Sequence, residues 1–149
     1  MNSLFDPKTA QGILDRIKSL QIDSPRMWGK MDVAQMMAHC NISLEAATGK
    51  IHPKRTLIAK LIGGFMKGML TDEKPMAQNL PTNPTYVMAD AKEFTKEKSR
   101  LIALLKEFSE GGEAGVTQSP HSFFGKITPT QWSSGTWKHL DHHLRQFGA

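Results

Sequence analysis

Apolar residues recur at helical spacing in four stretches of the chain, and period-two alternation is scarce, so the pattern predicts an all-helical fold. The first helix begins after Asp6, which can cap it; Pro7 suits the first helical position, and Ile13, Leu14, Ile17 and Leu20 follow on one face. Residues 21–31, broken by Pro25 and Gly29, read as a connector. A second helix starts near Asp32, where Asp32 and Gln35 form a capping-box pattern. Val33, Met36, Met37, Cys40, Leu44 and Ala47 give its apolar face, and Gly49 is a natural stop. A third begins near Asp90, where Asp90 and Glu93 repeat the pattern; it carries Phe94, Leu101, Leu104, Leu105 and Phe108 and ends at Gly111-Gly112. The fourth has the clearest start. Thr128 caps, Pro129 takes the first position and Gln131 reaches back, and the helix runs through Trp132 and Trp137 to about Phe147.

Between the second and third helices, residues 54–70 are basic and amphipathic. Leu57, Ile58, Leu61, Ile62, Phe65, Met66 and Met69 fall at near-helical spacing, and Gly63-Gly64 in the middle predicts a short or broken helix. An apolar side needs a partner, so this segment is expected to cover the bundle with its lysines solvated. An anionic membrane surface and a dimer face are its other readings. Residues 71–89, with Pro75, Pro81 and Pro84, read as a long irregular crossover, and a Gly-, Ser- and Pro-rich loop leads to Ile127. Four main helices with one long connection describe a four-helix bundle.

Composition narrows this picture. A chain of 149 residues suits one domain, 1–149, with a core large enough to need no staples. Hydrophobic residues make up 39% and charged residues 22%, which excludes wholesale disorder. The single cysteine, Cys40, forms no internal disulfide and reads as a small buried thiol. The start MNSLFDPKTAQ has no signal-peptide pattern, and no apolar run reaches the roughly 18 residues of a membrane span, so the expected compartment is the cytoplasm. The net charge of +5 is modest and spread along the chain; without a basic-aromatic stripe or a known motif it disfavours nucleic acid as a partner.

The chemistry lies in the histidines. Six are present: His39, His52, His121, His139, His142 and His143. His139 and His143 are four apart, so one helix face presents both, with Cβ atoms about 5–6 Å apart. His142 is turned about 100° from His143. His39, mid-helix among small and apolar residues, can supply a third ligand from a facing helix. Three protein ligands leave a position for water or substrate, as catalytic zinc does. Against this stands a hydrogen-bonded core His39 and a solvated histidine face. His121, in the loop before FFGK, reads as a fourth ligand, a general base or a loop anchor. Asp141 can accept a proton from a ligating histidine or point to solvent, and Gln35 can orient water or simply cap. Leu140 follows His139, so no His-Glu-x-x-His peptidase motif exists, nor is there a Gly-rich phosphate loop or a Ser-centred elbow.

Three blocks, DSPRMWGKMDVAQMMAHC at 23–40, HSFFGKITPTQW at 121–132 and KHLDHHLRQFG at 138–148, resemble the DinB-like (YfiT-like) helical-bundle superfamily of metalloenzymes. The resemblance is strongest to a bacterial branch classed as a domain of unknown function, and the first and third helices match only in pattern. It implies metal ligation by His39, His139 and His143. It also implies activation of a low-molecular-weight thiol, as in thiol transferases, or of water, as in hydrolases, with a small-molecule substrate. The block ends His143-Leu144-Arg145-Gln146 where the superfamily commonly has His-Arg-Gly-Gln, so substrate contacts of the common form are not carried over. Imidazole ligands suit zinc or nickel foremost, with iron and manganese also compatible. The competing reading is a non-catalytic helical binding protein with structural histidines and a partner, a second copy included, at residues 54–70.

Overall fold

The computed structural model describes residues 1–80 and 82–149; Pro81 of the expected crossover lies outside them. The described residues are helical, with no strand among them and a lone bridge between His121 and Gly125. Five α-helices are formed: α1 (Pro7–Ser19), α2 (Val33–Ala47), α3 (Leu57–Ile62), α4 (Phe94–Gly111) and α5 (Pro129–Gln146). Short 3-10 turns occupy Lys67–Leu70, Pro84–Tyr86 and Gly112–Gly115.

The helix starts are set locally. The Asp6 carboxylate accepts the Thr9 N–H at 2.8 Å, and both capping boxes, Asp32 with Gln35 and Thr128 with Gln131, close in both directions. The third expected helix begins later than the pattern suggested. Glu93, not Asp90, caps α4, its carboxylate accepting the N–H groups of Thr95 and Lys96. Asp90 stays outside because it has other partners: its carboxylate pairs with Lys92 at 2.8 Å, and its carbonyl accepts the Gln35 amide at 3.1 Å.

α1 and α2 each pack against both α4 and α5. The core between them holds Ile13, Ile17, Met37, Leu44, Leu101, Leu105, Phe108, Leu140 and Leu144. Burying each such side chain contributes about 1.5–3 kcal/mol. This packing lays the middle of α2 against the C-terminal half of α5 and so fixes where the site is built.

The segment 54–70 covers the bundle only in part: the turn Lys67–Leu70 packs against α5 and buries Leu70. α3 is indeed short, but Leu57, Ile58, Leu61 and Phe65 point outward and are exposed. The helix docks instead by its small residues. Ala59 is buried, and a Cβ on Gly63 would stand 1.9 Å from the Phe123 carbonyl oxygen. Arg55 donates to the carbonyls of both Ala59 (2.9 Å) and Phe123 (3.3 Å), fastening α3 to the 121–127 loop. Backbone contact this close leaves no room for a large side chain on the docked edge, so the large ones occupy the free edge.

Candidate metal centre

His39 projects from mid-α2, and His139 and His143 from one face of α5. Their ring centroids stand 4.8, 4.6 and 4.7 Å apart, close to an equilateral triangle. One ring nitrogen from each lies within 4.8 Å of the others, so the three can hold a metal ion.

Hydrogen bonds decide which nitrogens face inward. His39 Nδ1 lies 2.8 Å from the Tyr86 carbonyl oxygen, which only accepts, so Nδ1 carries the hydrogen and Nε2 keeps its lone pair. His143 Nδ1 lies 2.8 Å from Gln146 Oε1, and Gln146 Nε2 in turn donates to the Trp28 carbonyl at 2.8 Å. That second bond orients the amide, so His143 donates from Nδ1 and Nε2 is again free. His139 Nε2 stands 2.8 Å from His39 Nε2, while its Nδ1 is buried without a partner. Nitrogens at Zn–N distances of about 2.0–2.1 Å lie about 3.3 Å apart in a tetrahedral site. The His39–His139 pair would thus open by about half an ångström to fit an ion.

The electrostatics keep the rings neutral. Burial lowers the pKa of all three, and for His139 and His143 the neighbouring imidazoles lower it further. His143 is brought to about 3 and His139 well below the ordinary histidine value; at His39 the bond to Tyr86 opposes the shift. Neutral imidazole is the form that donates to a metal.

Two supports were not anticipated. The Tyr86 carbonyl comes from the crossover, in the 3-10 turn Pro84–Tyr86, which Asn83 caps while its amide donates to the Lys54 carbonyl at 3.1 Å. Nothing in the sequence marks a backbone oxygen for this role. Gln146 was legible in principle, lying three residues beyond His143 on the same helix. It is seated against Gly29, at φ +80°, where a Cβ would come within 2.5 Å of Gln146 Nε2.

The other candidates fall outside the cluster. His121 Nδ1 accepts the N–H groups of Phe123 (3.0 Å) and Phe124 (3.3 Å), and its ring packs on Trp132 and Phe124. Burial, and then Arg55, lower its pKa to about 4, so at neutral pH its one hydrogen sits on Nε2. His142 packs edge-on to Trp28, and its pKa is lowered chiefly by burial. His52 is exposed. Asp141 accepts no histidine proton; its carboxylate pairs with Arg16 (2.8 Å) and Arg145 (3.1 Å), because two residues along a helix from His139 is nearly the opposite face. Gln35 is occupied by its cap and by Asp90. Cys40 is buried beside Met36, its thiol pKa pushed up by burial.

A protein-family model described as "Protein of unknown function (DUF1569)" matches residues 6–149, and the chain belongs to that family. No curated protein and no solved structure matches the chain.

Proposed function

We propose that this member of the DUF1569 family is a divalent-metal-dependent enzyme of DinB-like four-helix architecture, one domain over 1–149. His39, His139 and His143 would hold the ion, zinc or nickel foremost, with iron and manganese also compatible. The observation that carries this reading is the paired orientation of His39 and His143. Each spends its Nδ1–H on a fixed acceptor outside the cluster and turns a bare Nε2 into it. Ligating histidines are held in this way. The unpartnered, buried His139 Nδ1 belongs to the same group of rings.

When bound, a divalent ion with three protein ligands would lower the pKa of a small thiol or a water molecule at its open position. The chain's own part is to hold and to orient. Tyr86 and Gln146 fix two of the imidazoles, and the depressed pKa values keep all three unprotonated at neutral pH. His121, with its hydrogen on Nε2, serves as a hydrogen-bond donor rather than a base unless its ring turns over. Transfer of a low-molecular-weight thiol is the first reaction class and hydrolysis the second; the chain acts on a small molecule in the cytoplasm.

One observation favours a non-catalytic reading. At 2.8 Å, His39 and His139 are also at the distance of a direct imidazole–imidazole hydrogen bond, which would make the cluster structural. Elemental mass spectrometry separates the two, on untagged protein purified without a nickel column and beside the His39→Ala/His139→Ala/His143→Ala variant. Near one ion per chain, lost in the variant, is expected. Absence of metal after reconstitution with several divalent ions, with the fold intact, would leave the structural reading standing.

A further inference from the structure

The outward edge of α3 and the turn after it form an apolar surface that the histidine cluster does not use. Phe65 is 91% exposed, Leu57 73%, Ile58 66% and Leu61 65%. Leu57, Ile58 and Leu61 share one side of α3 by helical period and Phe65 follows in the turn after it, whereas scattered single exposures would need no explanation. Their charge setting is one-sided. Residues 46–71 hold Lys50, Lys54, Arg55, Lys60 and Lys67 and no Asp or Glu. Arg55 is turned inward to the Ala59 and Phe123 carbonyls, and Lys50 pairs with Glu107. Lys54, Lys60 and Lys67 have no carboxylate partner among the described residues, and Lys67 reaches the carbonyl of Lys126, adding a further cation to that edge. The surface is therefore apolar at its crest and positive around it.

We propose that this surface docks on an anionic lipid bilayer, with Leu57, Ile58, Leu61 and Phe65 entering the interface and Lys54 and Lys60 meeting the headgroups. Two features select this occupant. A symmetric contact with a second copy would set the basic rim against itself, which like charges oppose. Lysine stems can lie along the apolar ridge while their charged ends stay at headgroup level. No helix of the described residues is long and apolar enough to cross a membrane, so the contact is peripheral. Docking through Ala59, Gly63 and Arg55 explains how the crest stays exposed without loosening the helix: the segment is held by backbone contacts on its other edge.

The test is co-sedimentation of the full chain with vesicles of phosphatidylcholine alone and of phosphatidylcholine mixed with phosphatidylserine. The Leu61→Ser/Phe65→Ser and Lys54→Glu/Lys60→Glu variants are run in parallel, and circular dichroism confirms that each is folded. Binding to the phosphatidylserine vesicles only, weakened by salt and reduced about tenfold or more in both variants, is the expected result. Failure to bind those vesicles, equal binding to both compositions, or unchanged binding in either variant would overturn it. Concentration-dependent self-association abolished by Phe65→Ser, with no vesicle binding, would overturn it too and give the surface to a second copy. None of these substitutions touches the histidines, so metal content remains an independent readout.

Discussion

α5 hides polar rings and α3 displays apolar side chains, and the contrast shows what each helix is fastened by. On α5, His142 and His143 are buried beside His139, and the rings are accommodated because fixed acceptors take the Nδ1–H of His39 and His143. On α3, the side chains that should drive burial face outward, and the helix is held by the Arg55 clamp and the close approach of Gly63 to Phe123. Each arrangement opposes the hydrophobic effect taken alone. A sequence keeps such local conflicts where binding or chemistry requires them, which is why these two regions, rather than the well-packed α1–α4 contact, carry the functional proposals.

Acid should separate the two regions most. Burial holds the three cluster histidines and His121 below their unfolded pKa of about 6.5, so the unfolded chain takes up protons that the folded chain refuses. Stability is then full above about pH 6.5 and falls as the pH drops, toward about 4 for His121 and about 3 for His143. The slope approaches about 1.4 kcal/mol per pH unit for each ring still neutral in the folded state. Urea midpoints across this range should show the decline, and Phe65→Ser should leave its shape unchanged; a flat profile would contradict the buried neutral cluster. Next comes the ion. Excess metal at about one hundred times Kd should add about 2.7 kcal/mol, or about 5–11 °C in Tm, and chelation should remove it. Gly63→Ala should destabilise the docking of α3 by about 1–3 kcal/mol, read as faster amide exchange and proteolysis confined to residues 54–70. Gly29→Ala and Gln146→Ala should each weaken metal affinity about 10–100-fold in a competitive chelator titration while leaving α3 untouched. The smallest change is expected for Phe65→Ser, within about 0.5 kcal/mol by urea denaturation, because that ring is packed on nothing.

Features that depend on a few neighbouring residues were legible in advance. Asp6, Asp32 with Gln35, and Thr128 with Gln131 mark their helix starts because a cap is a contact across three residues. The convergence of His139 and His143 follows from helical period alone, and the meeting with His39 is as expected from the resemblance. What could not be read depends on contacts remote in sequence. Asp90 looked like a cap until Gln35 and Lys92 are seen to hold it. Asp141 looked like a support for a histidine until Arg16, 125 residues away, is seen to claim it. The facing of α3 was misjudged because hydropathy shows which residues favour burial, not which edge a neighbouring carbonyl will approach. Tyr86 was invisible since the hydrogen bond that orients His39 is made by its backbone carbonyl, its ring only packing edge-on to the imidazole.

The distance along the chain between His39 and His139 has a consequence for how the protein is made. They lie 100 residues apart, and at ~5–20 residues per second a ribosome needs about 5–20 s to reach the second after the first. Throughout that interval α2 is present without α5, so His39 stands without its two partner rings. One imidazole grips a divalent ion weakly, and the neighbouring Cys40 has yet to be enclosed. An ion held as proposed would therefore find its full ligand set only once α5 has been made and has docked against α2.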